Sequence, residues 1–216
     1  MSRIVTDPAA EAGRREERKA QNRAKLIDAA RKVFAEKGLG EATVRDIVRE
    51  TDLASGTFYN YFRDKDEVFR ALLEEFEAKV QDATRHLRRD TSLSLEERIE
   101  LGARAFFRVV VEDAELFAVL RRNAGAISML PTDAVFDAGV EEFAEDLEGW
   151  RREGDLPADV DLGYLSGAIA GMAFQVAIRL VDHHPADPDE AARFLTLMVL
   201  GAVRTLGEAG ALPELA

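Results

Sequence analysis

Residues 55–62 (Ser55, Gly56, Thr57, Phe58, Tyr59, Asn60, Tyr61 and Phe62) gather hydroxyls, an amide and a glycine, with Lys65 following. Phe58 and Phe62 are four apart, so on a helix both turn inward with Leu53 and Ile47. That leaves Ser55, Gly56, Thr57, Tyr59, Asn60 and Tyr61 on the outer arc. Small, hydroxylated residues at a helix start suit close approach to base edges and phosphate oxygens. A phenol hydroxyl donates to phosphate, and a glycine lets backbone approach a duplex. The competing reading makes Tyr59 and Tyr61 packing aromatics.

Other constellations carry no reaction. There is no Gly-x-x-x-x-Gly-Lys-Ser/Thr loop, and Ser166 lacks the glycines of a nucleophile elbow. The histidines are His86, His183 and His184, and no Glu-x-x-His pair suggests a di-metal site. Asp182, His183 and His184 read as a helix end rather than a chelate. Glu141, Glu142, Glu145 and Asp146 read as a solvated acidic face. With no cysteine, disulfides and thiolate chemistry are excluded. No enzyme activity, metal or cofactor is expected.

The elements that must present the 55–62 run are helical. The chain has 216 residues, 47% hydrophobic and 32% charged, enough for one to two small domains with a sizeable core. Residues 1–25 lack an apolar signal region, and the apolar stretch Leu162–Val181 is broken by Ser166, Gln175 and Arg179. A cytoplasmic protein without a membrane span is expected. The net charge of −12 hides an asymmetry: Arg14–Lys32 holds eight basic against three acidic residues. Counterion release depends on the local charge facing phosphates, so the acidic total does not exclude DNA.

Residues 1–13 read as a loose tail. From Arg14 the pattern is helical, with Leu26, Ile27, Ala30, Val33 and Phe34 on one face and a stop at Gly38. Thr43 and Asp46 form a capping box for a short helix, and a turn at Thr51–Leu53 leads to another over Ala54–Tyr61. Asp64 with Glu67 opens a helix to about Arg89, and Ser94 with Glu97 the next. Helices follow over Asp113–Arg122, from Pro131–Asp133 to Gly154, over Asp159–Val181, and from Asp187 to Gly207. No segment alternates with period two between hairpin turns, so the expectation is an all-α protein of about nine helices.

The apolar spacing over Lys25–Gly38, the Thr43–Ile47 cap and the Ser55–Phe62 run with Lys65 together resemble the DNA-binding domain of the TetR (tetracycline-repressor) family. The resemblance covers about residues 20–66, under a quarter of the chain. It departs from the family at Asp52, usually glycine, and at Ala54, usually a Ser or Thr cap. It implies that Thr43 and Arg45 meet phosphate and bases, that Ser55, Gly56, Thr57 and Asn60 face the major groove, and that Tyr59, Tyr61 and Lys65 hold phosphates. Residues 1–18 then form a flexible basic tail, 19–66 the helix-turn-helix domain and 67–216 a ligand-binding and dimerisation domain. The function implied is a repressor released from a palindromic operator by a small-molecule effector. The alternative is a helical protein-interaction or effector-binding module without operator binding.

One recognition helix reads few base pairs, so a homodimer meeting successive major grooves is expected. Gly163, Gly167 and Gly171 recur on one face, with Gly201 in the last helix. Helical glycines are costly, so an aligned row suggests close packing, against the same chain or a second subunit. The resemblance implies a four-helix bundle across the dimer. Candidate lining residues for an effector cavity are Phe106, Phe107, Phe117, Trp150, Met172, Phe174, Gln175 and Arg179, each with core packing as its plainer role. Arginines spaced like Arg104 and Arg108, or Arg179 with Gln175, suit a carboxylate or acyl-thioester. Surface pairing with carboxylates is the simpler expectation.

Overall fold

Strong caps and amphipathic periods make nearly all of the chain helical. The computed structural model describes residues 8–127, 135–183 and 185–209. Ten helical segments and no strand occur among the described residues, where about nine helices were expected. The tail up to residue 7, the helix start near Pro131–Asp133 and His184 lie outside them. The chain divides into two units: Met1–Leu72 with Ala118–Met129, and Leu73–Phe117 with Leu130–Ala216.

In the first unit, α1 (Pro8–Glu41) begins earlier than expected, so residues 8–18 are helix rather than loose tail. Pro8 suits a first helical position and alanines follow, outweighing the single weak residue Gly13. Leu26, Ala30, Val33 and Phe34 are buried. Helical geometry breaks at Gly38 (φ 77°, ψ 161°), a conformation that side chains disfavour, at the expected stop. α2 (Val44–Arg49) starts with both halves of the Thr43–Asp46 capping box. The turn that follows is pinned by Thr51, whose hydroxyl donates to the Val48 carbonyl (2.8 Å) and accepts from the Leu53 N–H (3.2 Å).

α3 (Ser55–Phe58) is shorter than the expected Ala54–Tyr61. Beyond it the Asn60 and Tyr61 amides bond three residues back, to Thr57 and Phe58, in tightened turns. Tyr and Asn are weak helix formers and Ala54 supplies no side-chain cap, so the helix does not extend. Phe58 and Phe62 are buried with Ile47, as their spacing required. α4 (Lys65–Arg88) opens on Asp64, which accepts from the Glu67 N–H (2.8 Å), and buries Val68, Phe69 and Leu72. Phe69 meets Phe34 edge-on at 5.5 Å between centroids.

In the second unit, α5 (Leu95–Glu112) begins with the Ser94–Glu97 capping box. α6 (Ala114–Arg122) and the unforeseen short α7 (Ala124–Ile127) follow; the unit boundaries fall inside α4, after Leu72, and inside α6, after Phe117, so α7 belongs to the first unit. α8 (Val135–Glu153) stops at Gly154 (φ 88°). α9 (Leu162–Asp182) is capped by Asp161, and α10 (Pro188–Ala209) by Asp187, which accepts the Asp189 and Glu190 amides at 3.0 Å. α10 packs along α5, and α8 along α9. Of the acidic row expected to be a solvated face, Glu141 and Glu145 are exposed, but Glu142 and Asp146 are clamped to α4. Asp146 is buried and accepts from Arg88 (2.7 Å) and Arg89 (2.5 Å), and Glu142 accepts from Arg85. Its basic partners lie more than fifty residues away in sequence, outside any helical spacing.

Candidate nucleic-acid interface and effector cavity

The outer arc of α3 is open. Ser55, Gly56 and Asn60 are exposed, Tyr59 is 63% exposed, and Thr57 and Tyr61 are half-buried. Among the described residues a Cβ added at Gly56 would meet no atom within 4 Å, so none of them requires glycine there. The Tyr61 hydroxyl accepts from the Asn22 amide (3.2 Å), which orients it and leaves its proton free to donate. Asn22 escaped the sequence reading, since its pairing with Tyr61 spans 39 positions. Arg45 is exposed at the start of α2.

Two expected phosphate or base contacts are otherwise engaged. The Lys65 ammonium donates to the carbonyls of Leu39 (2.7 Å), Gly40 (3.1 Å) and Ala42 (2.9 Å), closing the end of α1. All three of its protons are in use. The Thr43 hydroxyl and amide both donate to the Asp46 carboxylate, at 2.7 and 3.0 Å. Hydrogen bonds from Lys37 first, then Thr43, draw the Asp46 carboxyl down to about 2. In the basic arm, Arg23 lies over the Phe62 ring at 5.2 Å, and Lys25 pairs with Asp52 at 2.9 Å.

The second unit holds a cavity of about 220 Å³. Phe106, Trp150 and Phe174 line it, as expected. Phe107 and Phe117 are fully buried in the surrounding core, and Met172 is half-buried away from the wall. Gln175 and Arg179 are corrected: both are exposed on the outward side of α9, because the cavity takes Ile169, Ala170 and Ala173 from that helix. Arg104 and Arg108 pair at the surface with Asp189. The polar wall residues that sequence reading missed are Glu77, Gln81, Thr84 and Arg88 on α4, with Arg98 on α5. Their signal was a polar row at helical spacing on the same face as Leu73, Phe76 and Val80.

Gly163, Gly167, Gly171 and Gly201 are all exposed. A Cβ at Gly167, Gly171 or Gly201 would meet nothing within 4 Å among the described residues, so these glycines serve no packing there. Beside them Tyr164 (82%), Phe194 (55%), Leu197 (72%) and Met198 (48%) are exposed large apolar side chains. α9 is long and apolar enough to cross a membrane by length and composition, yet only 22% of its most apolar window is buried in the subunit.

A family model described as bacterial regulatory proteins, tetR family, matches residues 26–72, the segment that builds this open arc. Similarity to curated regulators extends beyond it. The chain is 25% identical to YdgC of Bacillus subtilis, a helix-turn-helix transcriptional regulator, over 84% of this chain and 92% of the relative. It is 26% identical to the repressor AcnR of Corynebacterium efficiens, over 72% and 82%. Residues 26–72 are similar to the DNA-binding domain of the TetR family.

The chain is therefore a helix-turn-helix, DNA-binding transcriptional regulator. The fold agrees with two solved structures. The fatty acid degradation regulator FadR of Bacillus halodurans superposes with a TM-score of 0.71 at 24% identity, covering 84% of this chain and 96% of that one. PfmR of Thermus thermophilus superposes at 0.63 and 20% identity, over 82% and 97%. Within this TetR-family head, the two departures have structural answers. Among the described non-glycine residues no φ is positive, so the turn at Asp52 needs no glycine, and the ion pair to Lys25 ties it to α1. That hydrogen bond, with the lysine's charge, holds the Asp52 carboxyl below its ordinary range. At Ala54 no side chain caps α3.

Proposed function

We propose that this TetR-family regulator is a homodimeric cytoplasmic repressor, released from a palindromic operator by a small molecule held in the second unit. Gly56 carries the reading. A helical glycine costs about 0.5–1 kcal/mol relative to alanine, and here no contact among the described residues requires it. Close approach by an outside surface supplies the missing reason. Ser55, Thr57 and Asn60 beside it offer base-edge partners, Tyr59 and Tyr61 offer hydroxyls to phosphate, and Arg45 suits bidentate recognition of guanine. The outward apolar face of α9 and α10, with its open glycines, supports pairing of two subunits through a four-helix bundle. Induction is a population shift: the effector favours the state in which the two heads no longer match successive grooves.

The test is selection of bound genomic fragments followed by anisotropy titration on the recovered site. A palindromic site is expected, with affinity falling steeply as salt rises. No enriched site, or an affinity flat in salt, overturns the reading and favours the protein-interaction module.

A further inference from the structure

The cavity wall carries a charge imbalance. Glu77, Gln81, Thr84 and Arg88 line it from one face of α4. Glu77 and Arg88 stand about 16 Å apart along the helix axis, at about 1.5 Å of rise per residue. At the Arg88 end every charge is answered. Arg88 donates from Nε to Asp146 (2.7 Å), from Nη1 to Thr84 (2.5 Å) and from Nη2 to Gln81 (2.8 Å). Arg98 donates to Glu153 (2.8 Å) and to Asp155. At the other end, Glu77 makes no hydrogen bond or ion pair among the described residues; the charges that act on it are those of Glu142 and Glu74. Burial first, then these two carboxylates, push its carboxyl above the ordinary range.

The aromatic walls divide in the same way. Arg88 already lies over Phe143 at 5.6 Å, and Arg98 over Trp150 at 5.5 Å. Phe76, Phe106 and Phe174 carry no protein cation among the described residues.

Building on the effector-cavity reading above, we infer that the cavity takes an apolar organic cation, an alkyl or aryl ammonium. Its charge is set against Glu77 and its hydrocarbon lies along Phe76, Phe106 and Phe174. An anion would have to displace Asp146, or Glu153 and Asp155, from guanidinium groups they already hold, and would bring a second negative charge into the space that Glu77 lines. The one buried donor left unpartnered on the wall, Arg98 Nε, sits beside those same carboxylates and suits a neutral acceptor on the ligand.

The test uses three probes of equal chain length on the full-length protein: decyltrimethylammonium, decan-1-ol and decanoate. Trp150 is the only tryptophan and lines the cavity, so its fluorescence reports occupancy, with calorimetry as the second measurement. The cation is expected to bind about tenfold more tightly than the alcohol, the scale of one partly desolvated cation contact, and decanoate more weakly than either. Glu77→Gln should bring the cation to the level of the alcohol and leave alcohol binding unchanged. It removes a carboxylate facing Glu142 and Glu74, so the fold has no cause to be lost. Tighter binding of decanoate, or an unchanged cation preference in Glu77→Gln, overturns the inference and leaves the effector cavity standing. Failure of all three probes to bind overturns both, while operator binding, read separately, is untouched by either result.

Discussion

A single charge on the outward side of α10 is expected to undo the proposed dimer. Leu197 is 72% exposed in the subunit, between Phe194 and Met198 in sequence and on the same open side as Gly201. Fully burying a leucine side chain stabilises by about 1.5–3 kcal/mol. The exposed share of Leu197 thus represents about 1–2 kcal/mol on association, and a two-fold axis counts it twice. Leu197→Glu therefore forfeits about 2–4 kcal/mol, a weakening of dimerisation of about 30- to 700-fold before repulsion between the new carboxylates is added. The leucine contributes little to the subunit's own core, so circular dichroism should keep its helical signal. Sedimentation velocity over a dilution series is the assay, with operator anisotropy alongside it, because two unlinked heads bind one palindrome poorly. A variant that sediments as the wild type does at every concentration would refute the assignment of this face.

Three further outcomes are expected. Gly56→Ala should leave melting unchanged or raise stability by about 0.5–1 kcal/mol, since its Cβ meets nothing, while operator affinity falls; undiminished affinity removes the close approach. Asn123→Ala deprives the buried Leu39 N–H of its 2.6 Å acceptor, at a cost of about 1–3 kcal/mol, and thermal denaturation should show a melting temperature lower by roughly 3–10 °C. Unchanged melting would mean that another acceptor takes the amide. Asp46 ionises at about 2 rather than 3.8, so its folded-state stabilisation is fully present above pH 3.8 and lost as pH falls towards 2. The difference in urea midpoint between wild type and Asp46→Asn should therefore be constant above pH 3.8 and close towards pH 2; a difference already closed near neutral pH rejects the capping role.

The side-chain-capped helix starts were legible in the sequence because each depends on neighbours within four residues. Thr43 with Asp46, Ser94 with Glu97 and Asp187 before Pro188 all cap as read. The open arc of α3 followed from the spacing of Phe58 and Phe62, which fixes what points away from them. The sequence said less where a side chain had distant partners to choose from. Nothing beside Lys65 in the chain announces the three carbonyls from the end of α1 that meet its ammonium. Gln175 and Arg179 looked like cavity polars, since an apolar helix does not reveal from its own residues which face will be covered.

The chain's own residues determined the helical class, the caps, the break at Gly38 and the outward set Ser55, Gly56, Tyr59 and Asn60, because local geometry and a period of 3.6 residues settle these before any packing occurs. Tertiary structure alone decided that Asp146 is buried on Arg88, that Glu77 stands on a cavity wall with no answering charge among the described residues, and that the glycines of α9 face outward. Each of these rests on residues far apart in the chain, and an electrostatic or steric partner at that distance is set by how helices pack, not by the residues beside it.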